Sequence, residues 1–332
     1  MKIDIFSHIL PSKYKEALYE VAPKGFYIQN IIDGVPTLYD LNRRFQIMDG
    51  YEGLMQVLTI AAPPIETVAD SKKAVNLAKL ANDEMAELIY KYPDRFAAAV
   101  ACLPMNNVDA ALEEVDRALN ELKFRGVQVA APINDKSLDS PEFIPLYEKM
   151  CKYDLPIWIH PMRPTDYPDY RTEDKSKYGI HRTFGWVYET TAAMVRLVFS
   201  GILERYPSLK IITHHSGGMV PFFAERMRTG YDRVEMREGE NLKQGLTKTP
   251  IEYFKMFYCD TAIAGNTSAL MCAHSFFGGD HIMFGTDMPF DNQLGDRFTR
   301  QIIAAIEQMD IPETDKRKIF EENAKKLLRL PL

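Results

Sequence analysis

Short apolar runs rich in β-branched and aromatic residues recur along the chain with amphipathic segments between them. This is the pattern of buried parallel strands alternating with helices. The first four runs are Lys2-Ile3-Asp4-Ile5-Phe6, Leu54-Met55-Gln56-Val57-Leu58-Thr59, Phe96-Ala97-Ala98-Ala99-Val100 and Gly126-Val127-Gln128-Val129. Pro156-Ile157-Trp158-Ile159, Leu209-Lys210-Ile211-Ile212-Thr213, Lys255-Met256-Phe257-Tyr258-Cys259 and His281-Ile282-Met283-Phe284-Gly285-Thr286 complete a set of eight. The helical period predicts helices over about 38–50 and 65–92, from Asn107 or Asp109 to Leu122, and after Ser140-Pro141-Glu142. Further helices are expected over about 189–206, 296–309 and 313–328. Eight strand–helix alternations predict an α/β fold, a (β/α)8 TIM-type barrel. No internal repeat or low-complexity linker interrupts the 332 residues, so residues 1–332 read as one domain. The stretches 9–37 and 161–186 exceed ordinary connection lengths and read as long loops on the catalytic face, acting as lids or subunit contacts.

Polar residues punctuate the ends of these apolar runs. His8, His160, His215 and Asp287 each lie at or just past such an end. A parallel barrel brings its strand ends to one face, so four remote residues converge there. Imidazole and carboxylate are ligands for zinc and related ions, and the set reads as a metal-dependent active site. A single histidine at a strand end is more often structural; the convergence of several in one topology reverses that preference. Asp4 reads as a buried, hydrogen-bonded structural carboxylate. His214, next to His215, is free to face the barrel wall, because adjacent strand residues point opposite ways. Gly217-Gly218 serves either close backbone approach or a tight turn.

Charge and cysteine content narrow the partners. A formal charge of −6 with mixed signs provides no basic face for nucleic acid and no attraction to an anionic membrane surface, so a small molecule is the expected partner. No apolar run approaches membrane-spanning length, and no signal or transit pattern opens the chain. The four cysteines have no finger or redox spacing, which favours a reduced, cytoplasmic setting, with Cys102 and Cys259 as small buried apolar residues. No Gly-rich dinucleotide motif follows the first strand, so no nucleotide cofactor is expected.

An ordered series of motifs spans nearly the whole chain: Ile3-Asp4-Ile5-Phe6-Ser7-His8, Gly126-Val127-Gln128, Ile159-His160-Pro161, and Glu189-Thr190-Thr191 leading to Glu204-Arg205-Tyr206-Pro207. His215-Ser216-Gly217-Gly218-Met219-Val220-Pro221, Phe284-Gly285-Thr286-Asp287-Met288-Pro289 and Glu322-Asn323-Ala324 follow. In these the chain resembles the decarboxylase-type branch of the amidohydrolase superfamily, which includes aminocarboxymuconate-semialdehyde decarboxylase and γ-resorcylate decarboxylase. The resemblance implies one divalent metal, commonly zinc, with manganese or iron also suited to a mixed nitrogen and oxygen site. Its ligands in the family are two residues two apart at the end of the first strand, a His ending the fifth and the Asp after the eighth. Those places hold Phe6, His8, His160 and Asp287 here. The family's catalytic His falls on His215, and His214 has no such counterpart. The nearest matches to its substrate-carboxylate arginines are Arg44 and Arg226.

Phe6 departs from the pattern, since a phenyl ring donates no lone pair. His8, His160 and Asp287 still supply three ligands, the number a catalytic zinc site uses. An open coordination position beside a substrate-contacting Phe6, a different metal, a shifted reaction and a metal-free enzyme are the alternatives. Arg163, close after His160, either binds substrate carboxylate or pairs with a lid acid. The favoured reaction is nonoxidative decarboxylation of an aromatic or conjugated dienoic carboxylic acid, with Asp287 and His215 as the acid/base pair that protonates the carbon losing carbon dioxide. The rivals are metal-assisted hydrolysis of an amide, lactone or vinylogous C–C bond, and a non-catalytic binding protein that keeps the barrel. A homodimer or homotetramer is expected from the same resemblance.

Overall fold

The computed structural model describes residues 1–238, Leu242 and 245–332. Parallel strands β1 (Lys2–Ile9), β2 (Leu54–Ile60) and β3 (Phe96–Ala99) form one ladder. A second ladder contains β4 (Ala101–Cys102), β5 (Val127–Ala131), β6 (Ile157–Pro161), β7 (Ile211–Thr213) and β8 (Tyr258–Cys259). Only Val100 separates β3 from β4, and its N–H still bonds Leu58 O at 2.9 Å, so these two pieces are one stave. The segment after β8 closes the ring: Ile282 bridges Cys259, Met288 bridges Ser7, and Ile5 N–H donates to Phe284 O at 2.9 Å. The fold is a (β/α)8 barrel.

That eighth stave is an extended segment rather than the continuous strand its apolar run predicts. Its backbone donors go elsewhere: Phe284 N–H reaches Ile319 O at 2.7 Å and Thr286 N–H reaches the Asp4 carboxylate at 3.0 Å. Asp4 is fully buried and also accepts from Phe6 N–H and Thr286 Oγ1, the structural role expected of it. The register of β1 against β2 slips between Asp4 and Ser7. Consecutive Ile5 and Phe6 therefore both join the inner core, which an unbroken alternation of faces would forbid. Ile3, Val57, Val100, Trp158, Ile212 and Met283 fill the same interior, and Leu327 and Leu328 of the helix Asn323–Leu328 close off the cluster. Trp158 Nε1–H donates to Ile5 O across the ring at 3.1 Å. Gly126 makes room for that indole, because a Cβ there would lie 2.5 Å from the ring.

The helices differ from the periodic pattern mainly at their ends. The expected helix 65–92 runs Ser71–Lys91, because the Asp70 carboxylate caps it through Lys73 N–H and Ile65–Thr67 forms a separate 3-10 turn. Asp40 likewise starts the helix Leu41–Met48, and Asn107 caps Val108–Asn120. The expected 189–206 is two helices, Gly185–Phe199 and Ile202–Arg205, divided at Gly201 with φ +77°. The final 313–328 is interrupted by a π-helical Lys318–Glu322, and the seventh apolar run shortens to β8 after the helix Pro250–Phe254. The helix Thr267–Phe277 was not expected; small and apolar residues on most of its faces leave no polar stripe to mark it. The long stretches are not plain loops, since the first holds helices Ser12–Val21 and Gln29–Gly34 and the second holds Ile180–Thr183. Among the described residues no helix is long and apolar enough to cross a membrane.

Candidate metal-dependent active site

Strand ends from opposite parts of the ring deliver imidazoles and carboxylates to one point. His8 leaves β1 with Nδ1 3.2 Å from Thr59 Oγ1, which directs its Nε2 away from that contact. His214 follows β7, and its Nδ1 is held by the carboxylate of Asp260, the residue after β8. Asp260 is fixed in turn by the N–H groups of Ser216 at 3.1 Å and Ala262 at 3.0 Å. Asp287 Oδ1 lies 3.3 Å from His8 Nε2 and 3.4 Å from His214 Nε2. The His160 ring on β6 centres 5.1 Å from that of His8 and 5.4 Å from that of His214. His8 Nε2, His214 Nε2, His215 Nδ1 and Asp287 Oδ1 are all buried without a hydrogen-bond partner. Unpartnered buried polar atoms are costly, and several converging on one point form a donor set suited to a divalent cation. Ligand atoms of His8, His160 and His214 fall within 4.8 Å of one another, as do those of His214, His215 and Asp287.

The charges are arranged by burial and proximity. Burial opposes a charged His214, but Asp260 and Asp287 outweigh it and lift the imidazole to about 9. Burial also opposes ionised Asp287, yet His214 and His8 hold its carboxyl well below the usual carboxylate range. His215 is pushed down to about 4 by burial and by the charge of His214, and burial with His8 lowers His160. Phe6, expected beside the substrate, is instead fully buried outside the cavity lining, its ring stacked on His214 with centroids 3.9 Å apart and planes 18° from parallel. His215, Ser216 and Asp287 have φ of +54°, +55° and +60°, a conformation that non-glycine residues adopt at some cost and that recurs at active sites. Gly218 follows where a Cβ would stand 2.9 Å from Val187 O, so the glycine pair permits close backbone approach as well as the turn.

A cavity of about 480 Å³ opens over this cluster, with His160, His215 and Asp287 in its lining. Its other walls are mostly apolar, including Ile28, Val187, Ile263, Phe290 and Phe298. Both long connecting stretches contribute, the first through Ile28 and Ile31 and the second through Arg182, Thr183 and Trp186. Trp186 Nε1 is buried with no hydrogen-bond partner.

A family profile described as Amidohydrolase matches residues 40–330. The chain belongs to the amidohydrolase family. A γ-resorcylate decarboxylase of a Polaromonas species is 32% identical over 302 residues, 87% of each chain. The 2-amino-3-carboxymuconate-6-semialdehyde decarboxylase of Dictyostelium discoideum is 27% identical over 346 residues, covering 99% of this chain and 92% of that one. A crystal structure of a dihydroxybenzoic acid decarboxylase from a Polaromonas species, with bound manganese and the inhibitor 2-nitroresorcinol, superposes with a TM-score of 0.83 at 28% identity, covering 99% of this chain and 96% of that one. Within the amidohydrolases the chain stands in the decarboxylase branch, as a carboxy-lyase.

In this amidohydrolase the arginines lie elsewhere than expected. Arg44 is fully buried outside the cavity lining; its Nε donates to Gln56 Oε1 at 2.8 Å and its Nη1 to His8 O at 2.8 Å, so protein acceptors occupy the guanidinium. Arg163 is paired at 2.6 Å with Glu189 of the helix Gly185–Phe199, not with an acid of the 161–186 stretch, and its guanidinium lies over Tyr167. Arg226 is exposed on the helix Ala224–Glu238. None of the three lines the cavity, whereas Arg182 does. His214, read from the sequence as free to face the barrel wall, instead turns its Nε2 into the cluster, and Asp260, not singled out in the sequence, ends an apolar run just as the other site residues do. Nothing in the local pattern around Arg182 distinguishes it from a solvated side chain.

Proposed function

We propose that the cluster binds one divalent metal through His8, His160 and Asp287, and that the overlying cavity holds an aromatic or conjugated carboxylic acid for nonoxidative decarboxylation. The carrying observation is the convergence of buried ligand atoms that face one another without regular hydrogen bonds beneath an apolar cavity of about 480 Å³. A divalent ion there supplies Lewis acidity toward substrate oxygens. Zinc suits this mixed donor set, and so does manganese, the ion bound by the Polaromonas relative.

The chain's own groups divide the remaining work. Asp287, held ionised between two imidazoles, takes a proton from a substrate hydroxyl and delivers it to the ring carbon as the bond to the carboxylate breaks. Carbon dioxide leaves, one proton takes its place on carbon, and the deprotonated hydroxyl regains a proton from solvent on release. His215 and Trp186 line the cavity and are the ring side chains that would meet substrate oxygens. Apolar walls disfavour the localised carboxylate charge more than the delocalised charge that replaces it. Arg182 takes the carboxylate-steering role expected of Arg44, Arg163 and Arg226.

Assembly into a homodimer or homotetramer is part of the proposal, and exposed aromatics support it. Phe222 is 77% exposed, Phe184 64% and Tyr188 54%, and the bond from Met219 N–H to Thr191 Oγ1 at 2.8 Å ties the two segments that carry them. Arg226 lies just beyond Phe222 and Phe223, where a second copy covers it. The cytoplasm, where unpaired cysteines stay reduced, is the proposed setting.

Carbon dioxide release assayed over hydroxybenzoates and muconate-type acids tests the reaction. Asp287→Asn is expected to abolish turnover, and His215→Ala to lower kcat by about 100-fold or more while metal content stays unchanged. Near-normal turnover by the Asn variant, or release of an acid from an ester or amide without carbon dioxide, overturns the reading.

A further inference from the structure

We propose that His214, oriented by Asp260, supplies the metal ligand that the first strand lacks at Phe6, completing a set of His8, His160, His214 and Asp287. The inference rests on the metal-dependent reading of the site and concerns which side chains hold the ion.

Three observations carry it. The first is the division of labour between adjacent histidines: His215 lines the cavity, whereas His214 does not and is 0% exposed. His214 is thus shielded from substrate while its Nε2 faces Asp287 Oδ1 at 3.4 Å and shares the 4.8 Å cluster with His8 and His160. The second is orientation. A metal-binding imidazole is normally held through its other nitrogen by a carboxylate, carbonyl or hydroxyl group. Asp260 does this for His214 at Nδ1, as Thr59 does for His8, and both histidines present a buried Nε2 to the Asp287 carboxylate. Asp260 is itself fully buried and tied by two backbone N–H groups, so the pair is rigid.

The third observation links the two departures from the family pattern. Phe6 stands where the pattern has a ligand, His214 stands where it has none, and their rings stack face to face at 3.9 Å. The phenyl ring covers one face of the imidazole and leaves its edge toward the cluster. One ligand has moved from the first stave to the sixth, with the phenyl ring packing behind it. The resulting donor set, three imidazoles and one carboxylate, is richer in nitrogen than one with a second carboxylate and favours zinc or cobalt over manganese.

Metal content and affinity, measured by elemental analysis and competition with a chromophoric chelator, test the assignment on the intact protein. His214→Ala is expected to weaken zinc binding by about 100-fold or more, and Asp260→Asn by about 10- to 100-fold. Phe6→Glu placed in the His214→Ala background restores at least about tenfold by returning a ligand to the first strand. A second readout needs no variant: in the cobalt(II)-substituted protein, coordination by His8, His160 and His214 produces three exchangeable, hyperfine-shifted imidazole N–H proton resonances. Two such resonances, or unchanged zinc affinity in a folded His214→Ala protein, overturn the assignment and leave metal dependence standing. A wild-type protein that binds no zinc, cobalt or manganese stoichiometrically overturns the metal-dependent reading itself.

Discussion

Arg44 and Arg182 carry the same guanidinium into opposite surroundings, and their substitutions separate framework from substrate contact. Arg44→Met strands Gln56 Oε1, His8 O and Ser7 Oγ in the interior. The expected loss is about 3 kcal/mol or more of stability, because buried acceptors lose their donor. Arg182→Met leaves stability within about 0.5 kcal/mol and raises KM for the carboxylate substrate about tenfold. Thermal melts beside steady-state kinetics decide this; a destabilised Arg182 variant with unchanged KM would reverse the two roles. Glu66 yields a pH prediction. It is buried, and burial raises its carboxyl to about 7. The folded protein therefore holds this proton more tightly than the unfolded chain does. The associated stability is fully present below about 4.5, the unfolded value, and is lost as pH rises through about 7. Glu66→Gln is expected to remove that slope and to gain up to about 3 kcal/mol over wild type at pH 8. Denaturant melts of both proteins from pH 5 to 8 check this, and parallel curves would show that Glu66 is ionised in the fold at no cost.

At the level of elements, the site depends on how closely three staves approach at Gly285. A Cβ there would lie 2.8 Å from Asp260 Cβ and 3.3 Å from Phe6 Cβ, so the eighth stave uses a glycine to bring both neighbours inward. Gly285→Ala pushes on Phe6 and Asp260 together, the two groups that position His214. The expected outcome is a loss of about 1–3 kcal/mol from overpacking, with metal affinity falling more than the melting temperature alone suggests. Wild-type affinity in this variant would show that the strand ends tolerate the shift. The apolar runs were legible because strand burial leaves a local record. The missing ladder bonds of the eighth stave were not, because Thr286 N–H and Phe284 N–H go to Asp4 and Ile319, remote in the chain from the groups they pair.

For the whole molecule, the exposed aromatics beside the cavity are expected to be covered by a second copy. Phe222→Glu should convert a dimer or tetramer to monomer in light scattering and lower kcat/KM, since the Met219–Thr191 hydrogen bond joins the segment carrying Phe222 to the one carrying Phe184 and Tyr188. A wild-type protein that scatters as a monomer removes the assembly proposal and leaves the chemistry untouched. By itself the sequence determined the barrel and the four strand-end residues His8, His160, His215 and Asp287. Periodicity, turn residues and the polar residue closing an apolar run are all written within a few positions. Only the tertiary structure decided that His214 belongs to the cluster, that Asp260 orients it, that Arg44 is framework and that Arg182 reaches the cavity. Those outcomes depend on which nitrogen, face or edge a side chain presents once staves distant in sequence stand side by side, and that geometry leaves no local pattern to read.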